Sequence, residues 1–247
     1  MAHHYINHVG RGESGHERRH PTMTPDFALE HVSIAPEDGP ETPPAVVLLH
    51  GRGADEEDLV PVGRQLPGGV HLLSVRAPTR LGPGFTWYDI DLSAGGLHAS
   101  QPDPDDFDES LSLLSAFLET AIAEYGLDDE QIGLLGFSQG AILALGALAE
   151  QPERYAWIVG LHGYLPARYD VNDLADAAGT AVFLGGGTQD EVIPATRAED
   201  AANRLEAAGV EVTFRTYPIG HGIGREEAGD LIAWVDSQLT NGDADAV

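Results

Sequence analysis

Leu134-Leu135-Gly136-Phe137-Ser138-Gln139-Gly140-Ala141 decides how the rest of the chain is read. The run Ile132-Gly133-Leu134-Leu135 before the serine is strand-like, and Ile142-Leu143-Ala144-Leu145 after it is helix-like. Between them, G-x-S-x-G is the spacing a serine needs at a sharp strand-to-helix turn. Such a turn strains the serine backbone, and a side chain two residues away on either side would collide with the neighbouring strand or helix. Glycines at 136 and 140 remove both collisions, so the hydroxyl stands clear at the end of the sheet. Gln139 opens the helix, and its free main-chain N–H points toward any negative charge that develops beside the serine. Alone, a Gly/Ser pentapeptide is a modest signal. The strand before it and the helix after it make it read as a nucleophile elbow.

The 247 residues suit one large α/β domain able to bury a sizeable core. No apolar run approaches the ~18 residues of a membrane span. Met1 to Thr24 has no apolar segment resembling a signal peptide, so a cytoplasmic location is expected. The absence of cysteine excludes disulfides, thiolate metal sites and a cysteine nucleophile. Forty acids stand against 13 basic residues, all arginine, for a net charge of −27. Self-repulsion on that scale disfavours a compact state in dilute buffer, whereas at ~1 M salt the screening length falls to about 3 Å. A protein adapted to a high-salt cytoplasm is expected, with a merely acidic mesophilic protein as the alternative, and under either reading nucleic acid and anionic membrane surfaces are poor partners.

Along the chain, residues 1 to 25 carry five of the eleven histidines and a net charge of +1 against −28 for the remainder. With no hydrophobic period, they read as a disordered extension ahead of a domain at 26 to 240, with a frayed tail at 241 to 247. No designed metal site is read into those histidines, because nothing nearby is spaced to close a coordination shell. Phe27 to Ala35 alternates as a first strand, and Ala45 to Leu49 is a continuous apolar run suited to a strand buried on both faces. It runs into His50-Gly51-Arg52-Gly53, a turn where the Arg52 N–H is a candidate second oxyanion donor beside that of Gln139. A helix over Glu56 to Leu66 and a strand over Val70 to Val75 follow. Arg76 to Asp89 reads as a long loop, and Leu92 to Asp106 as an acidic segment with the composition of a flap. Trp87 and Leu165 are candidates to line an acyl pocket, with a packed core role as the alternative for Trp87. Phe107 to Tyr125 has helical apolar spacing. Strands at Trp157 to Leu161, Ala181 to Leu184 and Glu211 to Tyr217 alternate with helices at Ala195 to Ala208 and Arg225 to Leu239. This alternation predicts a mostly parallel sheet with helices on both faces.

Serine is a weak nucleophile and needs a base that is itself oriented by a carboxylate. Asp190 lies just beyond one strand and His221 just beyond the last, so both would emerge with Ser138 at one edge of the sheet. The order Ser138, Asp190, His221 is that of hydrolases with this elbow. His50 and His162 also sit at strand ends and compete for the role of base, but His50 precedes the serine and His162 lacks the final-strand position. Asp170, Asp173 and Asp176 compete less well for the acid because they precede their strand.

From about Ala45 to Leu239 the chain resembles the phospholipase/carboxylesterase family of α/β-hydrolases, which includes acyl-protein thioesterases. The resemblance rests on Leu49 to Gly53, Arg76-Ala77-Pro78, Trp87 to Ile90, Gly136 to Gly140, Asp190 to Pro194 and Tyr217 to His221. It implies the α/β-hydrolase fold and a serine esterase with little or no lid, using Ser138, Asp190 and His221, with Arg52 and Gln139 as oxyanion donors. The expected partner is a small-molecule acyl ester or thioester; no cofactor or metal is expected, and a homodimer stays open. Two positions depart from the family pattern: Ala141 where glycine is usual, and His162 where a small polar residue is common. The rival reading is a non-catalytic small-molecule-binding protein on the same fold. A nucleotide site is disfavoured, since Gly133 to Gly140 lacks G-x-G-x-x-G spacing and the chain has no lysine for a P-loop.

Overall fold

A computed structural model describes residues 26–93 and 95–242. The expected extension at 1–25 and the last five residues lie outside the described residues.

Seven strands form one sheet: β1 His31–Ile34, β2 Ala45–Leu49, β3 His71–Val75, β4 Ile132–Phe137, β5 Trp157–Leu161, β6 Ala181–Gly187 and β7 Glu211–Tyr217. Their spatial order is β1-β3-β2-β4-β5-β6-β7. Only β1 runs antiparallel to its neighbour; every other pairing is parallel, as the alternation of strands and helices requires. The apolar strands alternate between two cores. Val47, Leu49, Leu134, Ile158 and Val182 face the layer of α2 Pro104–Tyr125, α3 Gln139–Glu150 and α4 Ala195–Ala207. Val46, Leu48, Leu135, Val159 and Phe183 face the opposite layer, which holds α5 Arg225–Gly242 with Leu231 and Val235 fully buried. Both faces are therefore covered, and central strands such as Ala45–Leu49 are buried at every position.

Several elements differ from expectation. The helix expected over 56–66 contracts to α1 Val60–Gly63, because Pro61 supplies no N–H and is tolerated only in the first turn of a helix. The long loop of 76–89 contains a small hairpin, Thr79–Leu81 with Gly84–Thr86. The acidic segment of 92–106 is bridged at its base by Ile90–Asp91 pairing with Gln101–Pro102, and α2 already begins at Pro104, capped by the Asp103 carboxylate. Strand β6, expected over Ala181 to Leu184, continues through Gly185, Gly186 and Gly187, which pair with Arg215, Thr216 and Tyr217.

Candidate active site

Register aligns the strand ends. Gly136 of β4 lies opposite Leu49 of β2 and Gly160 of β5, Leu161 opposite Gly185, and Gly187 opposite Tyr217. The residues that follow, His50, Ser138, His162, Asp190 and His221, therefore gather on one rim.

The elbow has the strain its sequence predicts. Ser138 has φ 53° and ψ −116°, costing of order 1–3 kcal/mol for a residue with a side chain. A Cβ at Gly136 would overlap the main chain of Gly140 and Ala141, and one at Gly140 would overlap the carbonyl of Leu49. Ser138 Oγ and His221 Nε2 are 2.8 Å apart, and His221 Nδ1 lies 2.7 Å from Asp190 Oδ2. The carboxylate is fixed on its other oxygen by the N–H groups of Val192 and Ile193, each 2.9 Å from Oδ1. Burial opposes ionisation of Asp190, but hydrogen bonds from His162, His221 and these two amides hold its carboxyl below the usual carboxylate range.

The competing histidines have other partners. His50 is buried, Nδ1 donates to the Gly51 carbonyl at 2.7 Å, and Nε2 accepts from the Ala77 N–H at 3.1 Å, so the ring ties the 50–53 turn to the 76–78 segment. Burial lowers its pKa. His162 places Nδ1 2.9 Å from the same Asp190 Oδ2 and Nε2 3.2 Å from Glu227 Oε2. Burial disfavours its charged form, yet the two carboxylates outweigh burial and raise its pKa above the ordinary histidine value. Asp170 and Asp173 instead hydrogen-bond within their own turn.

Ser138 and His221 open onto a cavity of about 230 Å³ lined by Arg52, Tyr88, Ile90, Ser100, Gln139, Ile142, Tyr164, Val192 and Ile193. Arg52 and Gln139, the two expected oxyanion donors, thus border the same space as the serine. A larger depression of about 480 Å³ between α2 and α3 is lined by charged side chains such as Asp108, Glu119 and Arg168 and includes none of the rim residues.

Trp87 and Leu165 do not line the 230 Å³ cavity. Trp87 is 1% exposed, its Nε1 donating to the His50 carbonyl at 2.9 Å and its N–H to Gln139 Oε1 at 2.9 Å, so it braces the rim from behind. Leu165 is packed into the core, and its carbonyl accepts from Arg204. Their neighbours Tyr88 and Tyr164 form the wall instead, each held by its hydroxyl: Tyr88 to the Gln139 carbonyl at 3.3 Å and Tyr164 to that of Ser100 at 2.8 Å. Adjacent positions in an irregular segment point in different directions with no fixed period, which is why the sequence does not distinguish Trp87 from Tyr88.

Two sets of contacts at the rim escaped sequence reading. The Gln139 side chain clasps the 86–88 segment, accepting from Thr86 Oγ1 and the Trp87 N–H and donating to the Tyr88 carbonyl. Glu227, 0% exposed, is the other; its signal is an acid on the apolar stripe of α5 at 227, 231 and 235. His162, Asp190 and His221 also bring three potential metal ligands within 4.8 Å of one another. Both imidazoles turn Nδ1 onto one carboxylate oxygen while their Nε2 atoms face Ser138 and Glu227, so all four ring nitrogens already serve a hydrogen-bonded chain.

A family model described as Phospholipase/Carboxylesterase matches residues 29–239. Acyl-protein thioesterase 1 of Candida albicans is 27% identical over 219 residues, covering 81% of this chain and 94% of that protein. Acyl-protein thioesterase 1 of Debaryomyces hansenii is 28% identical over 157 residues, covering 62% and 67%. A solved structure of the Bacillus cereus carboxylesterase matches with a TM-score of 0.73 at 27% identity, over 85% of this chain and 94% of that one.

Proposed function

Because the chain belongs to the phospholipase/carboxylesterase family of α/β-hydrolases, we propose that it hydrolyses small or medium acyl esters, thioesters included, through Ser138, His221 and Asp190. The chain is a carboxylic ester hydrolase. The observation that carries the proposal is the chain of contacts Ser138 Oγ to His221 Nε2 at 2.8 Å and His221 Nδ1 to Asp190 at 2.7 Å.

In the proposed cycle Ser138 attacks the carbonyl carbon while His221 takes the hydroxyl proton. Asp190, ionised and tied down by two amides, keeps the His221 proton on Nδ1 and so leaves Nε2 free to accept. The carbonyl oxygen becomes an oxyanion facing the Arg52 and Gln139 N–H groups. His221 returns its proton to the leaving oxygen or sulfur, and the acyl-enzyme forms. Water activated by His221 then releases the acid and restores Ser138. A cavity of about 230 Å³ with Tyr88, Ile90, Ile142 and Tyr164 on its walls supports an acyl group of limited size, since pockets for drug-sized ligands run to ~300–1,000 Å³. The net charge of −27 supports work in a high-salt cytoplasm.

The test is a panel of nitrophenyl esters and acyl thioesters of graded chain length in molar salt, with Ser138→Ala beside the parent enzyme. Loss of ester hydrolysis by at least ~10³-fold is expected, together with loss of stoichiometric fluorophosphonate labelling. Ser138→Ala that kept most of the hydrolysis would end the assignment.

A further inference from the structure

Beneath the rim, a second imidazole stands between two carboxylates. His162 is 1% exposed and Glu227 is 0% exposed. His162 Nδ1 meets Asp190 Oδ2 at 2.9 Å and Nε2 meets Glu227 Oε2 at 3.2 Å. A neutral imidazole has one N–H, so one of its nitrogens would turn a lone pair on a carboxylate oxygen; N–H on both satisfies both contacts. Glu227 points the same way. It is fully buried, the Gly224 N–H reaches Oε2 only at 3.4 Å, and its Oε1 has no hydrogen-bond partner among the described residues. A carboxylate so buried either takes up a proton or keeps its charge against a cation, and His162, whose other nitrogen already faces the ionised Asp190, is the cationic group placed to serve.

The backbone adds an independent mark. Among the described residues, Ser138 and His162 are the two non-glycine residues with positive φ, both 53°. They occupy equivalent places, each the first residue after adjacent parallel strands, with Ser138 N–H donating to the Leu161 carbonyl and His162 N–H to that of Gly185. Strain of this kind persists where the surroundings over-determine it. Space is also cleared for the pair: a Cβ at Gly185 would overlap Glu227 Oε1, and one at Gly187 would lie 3.1 Å from His162 Cε1.

We infer that His162 and Glu227 are positioning residues: a buried imidazolium–carboxylate pair that occupies Asp190 from behind and sets how tightly that carboxylate holds the imidazolium of His221. The inference rests on the triad reading above. His162 and His221 share one oxygen, Asp190 Oδ2, with ring centroids 5.6 Å apart and nearly perpendicular. The groups facing His162 are Asp190 from the loop after β6, Glu227 from the first turn of α5, His221 from the loop after β7, and the uncharged Phe137 ring at the end of β4. A fixed positive charge on the far side of Asp190 weakens its hold on a second proton-bearing ring. The general base is thereby kept neutral and competent to lower pH. The negative charge of Glu227 lies one ring farther away and offsets this only in part.

The proposal is tested first with Glu227→Gln, which keeps the side-chain shape while removing the charge that holds the second proton on His162. Remaining neutral, His162 still donates to Asp190. The acid limb of the kcat/KM profile for a nitrophenyl ester is expected to move up by about one pH unit, cutting activity well below the limb about tenfold relative to the plateau. The double variant His162→Gln/Glu227→Gln removes both charges without leaving an unpaired buried carboxylate, and the same upward shift is expected. Ring ¹⁵N NMR of the whole protein at pH 7.5, with the 162 signals assigned by their loss in the double variant, is expected to report both nitrogens protonated in the parent and one in Glu227→Gln. A neutral 162 ring in the parent overturns the pair. An acid limb within 0.2 units (about 1.6-fold) of the parent in both folded variants overturns its effect on the base. Failure of the triad reading appears separately, as a Ser138 that takes no fluorophosphonate label.

Discussion

Gln139→Ala tests whether the helix-opening residue acts through its side chain as well as its N–H. The side chain makes three contacts: Oε1 accepts from Thr86 Oγ1 at 3.0 Å and from the Trp87 N–H at 2.9 Å, and Nε2 donates to the Tyr88 carbonyl at 2.7 Å. If all three partners were orphaned in the buried site, the loss would be ~3–9 kcal/mol. The surroundings allow less. Thr86 Oγ1 already lies 2.9 Å from the Tyr88 carbonyl, so its single proton can turn wholly to that oxygen and satisfy both groups. The Trp87 N–H alone is left without an acceptor, at ~1–3 kcal/mol. A void of about 40–50 Å³ adds about 1 kcal/mol at ~24 cal/mol per Å³. The expected loss is therefore about 2–4 kcal/mol, measured by urea unfolding in 2 M KCl. Thr86→Val removes the rescuing hydroxyl, so the double variant should be destabilised by more than the sum of the single changes. Because the main-chain N–H at 139 survives, kcat should fall by less than the ~10²–10³ that losing an oxyanion donor costs. Additive double-variant energies, or a single-variant loss below ~1 kcal/mol, would refute the view that this side chain holds the 86–88 segment.

Gly140→Ala places a methyl group against the Leu49 and His50 carbonyls, pushing α3 off β2; kcat/KM should fall at least ~10²-fold, and a near-normal value would remove the steric account of the elbow. Thermal melts should rise steadily from 0.1 to 2 M KCl as the screening length contracts from about 10 Å to below 3 Å, whereas a flat or falling Tm would contradict charge repulsion as the limit on stability. Burial lowers the pKa values of His31, His50 and His71, so the unfolded chain binds more protons than the native one as pH falls below 6.5, and that stability is lost on the acid side. His162 is raised and works the other way, its contribution being lost as pH rises through its folded value. In His162→Gln/Glu227→Gln, where that opposing contribution is absent, the urea midpoint in molar salt should fall between pH 7.5 and 5.5, and a rise would show that these rings are not held neutral.

The parts of the fold legible in the sequence were those with a period or a steric signature. Continuous apolar runs such as Ala45–Leu49 mark strands buried on both faces, and their alternation with helical stretches leaves few arrangements other than a covered parallel sheet. Glu56 to Leu66 misled because its composition favours a helix, while Pro61 dictates where one starts. Trp87 stayed open between a pocket role and a core role because an aromatic in an irregular segment has no period to say which way it faces. Its indole braces the His50 carbonyl, and Tyr88 takes the wall.

The candidate site was legible in its first row of contacts and not in its second. Ser138, Asp190 and His221 are revealed by order and strand-end placement, which topology converts directly into proximity. His162 stood out only as an unusual residue at a strand end, and Glu227 only as an acid among many. What connects them is the run Gly185-Gly186-Gly187, which lies beyond the strand end expected at Leu184. In the structure these residues stay extended through their pairing with Arg215, Thr216 and Tyr217, and a Cβ there would collide with close neighbours: Glu227 Oε1 over Gly185, and the Ile219 and Gly220 carbonyls over Gly187. The second of these contacts seats the turn that carries His221; the first seats the acid behind His162. Glycine at 136 and 140 lets a helix start against a strand, and glycine at 185 and 187 lets a helix and a histidine loop settle against the next strand but one. A glycine run that continues a parallel strand toward a catalytic rim is therefore to be read as clearance for something that must come close. The partner to seek is a polar residue on the apolar stripe of the helix packed over it.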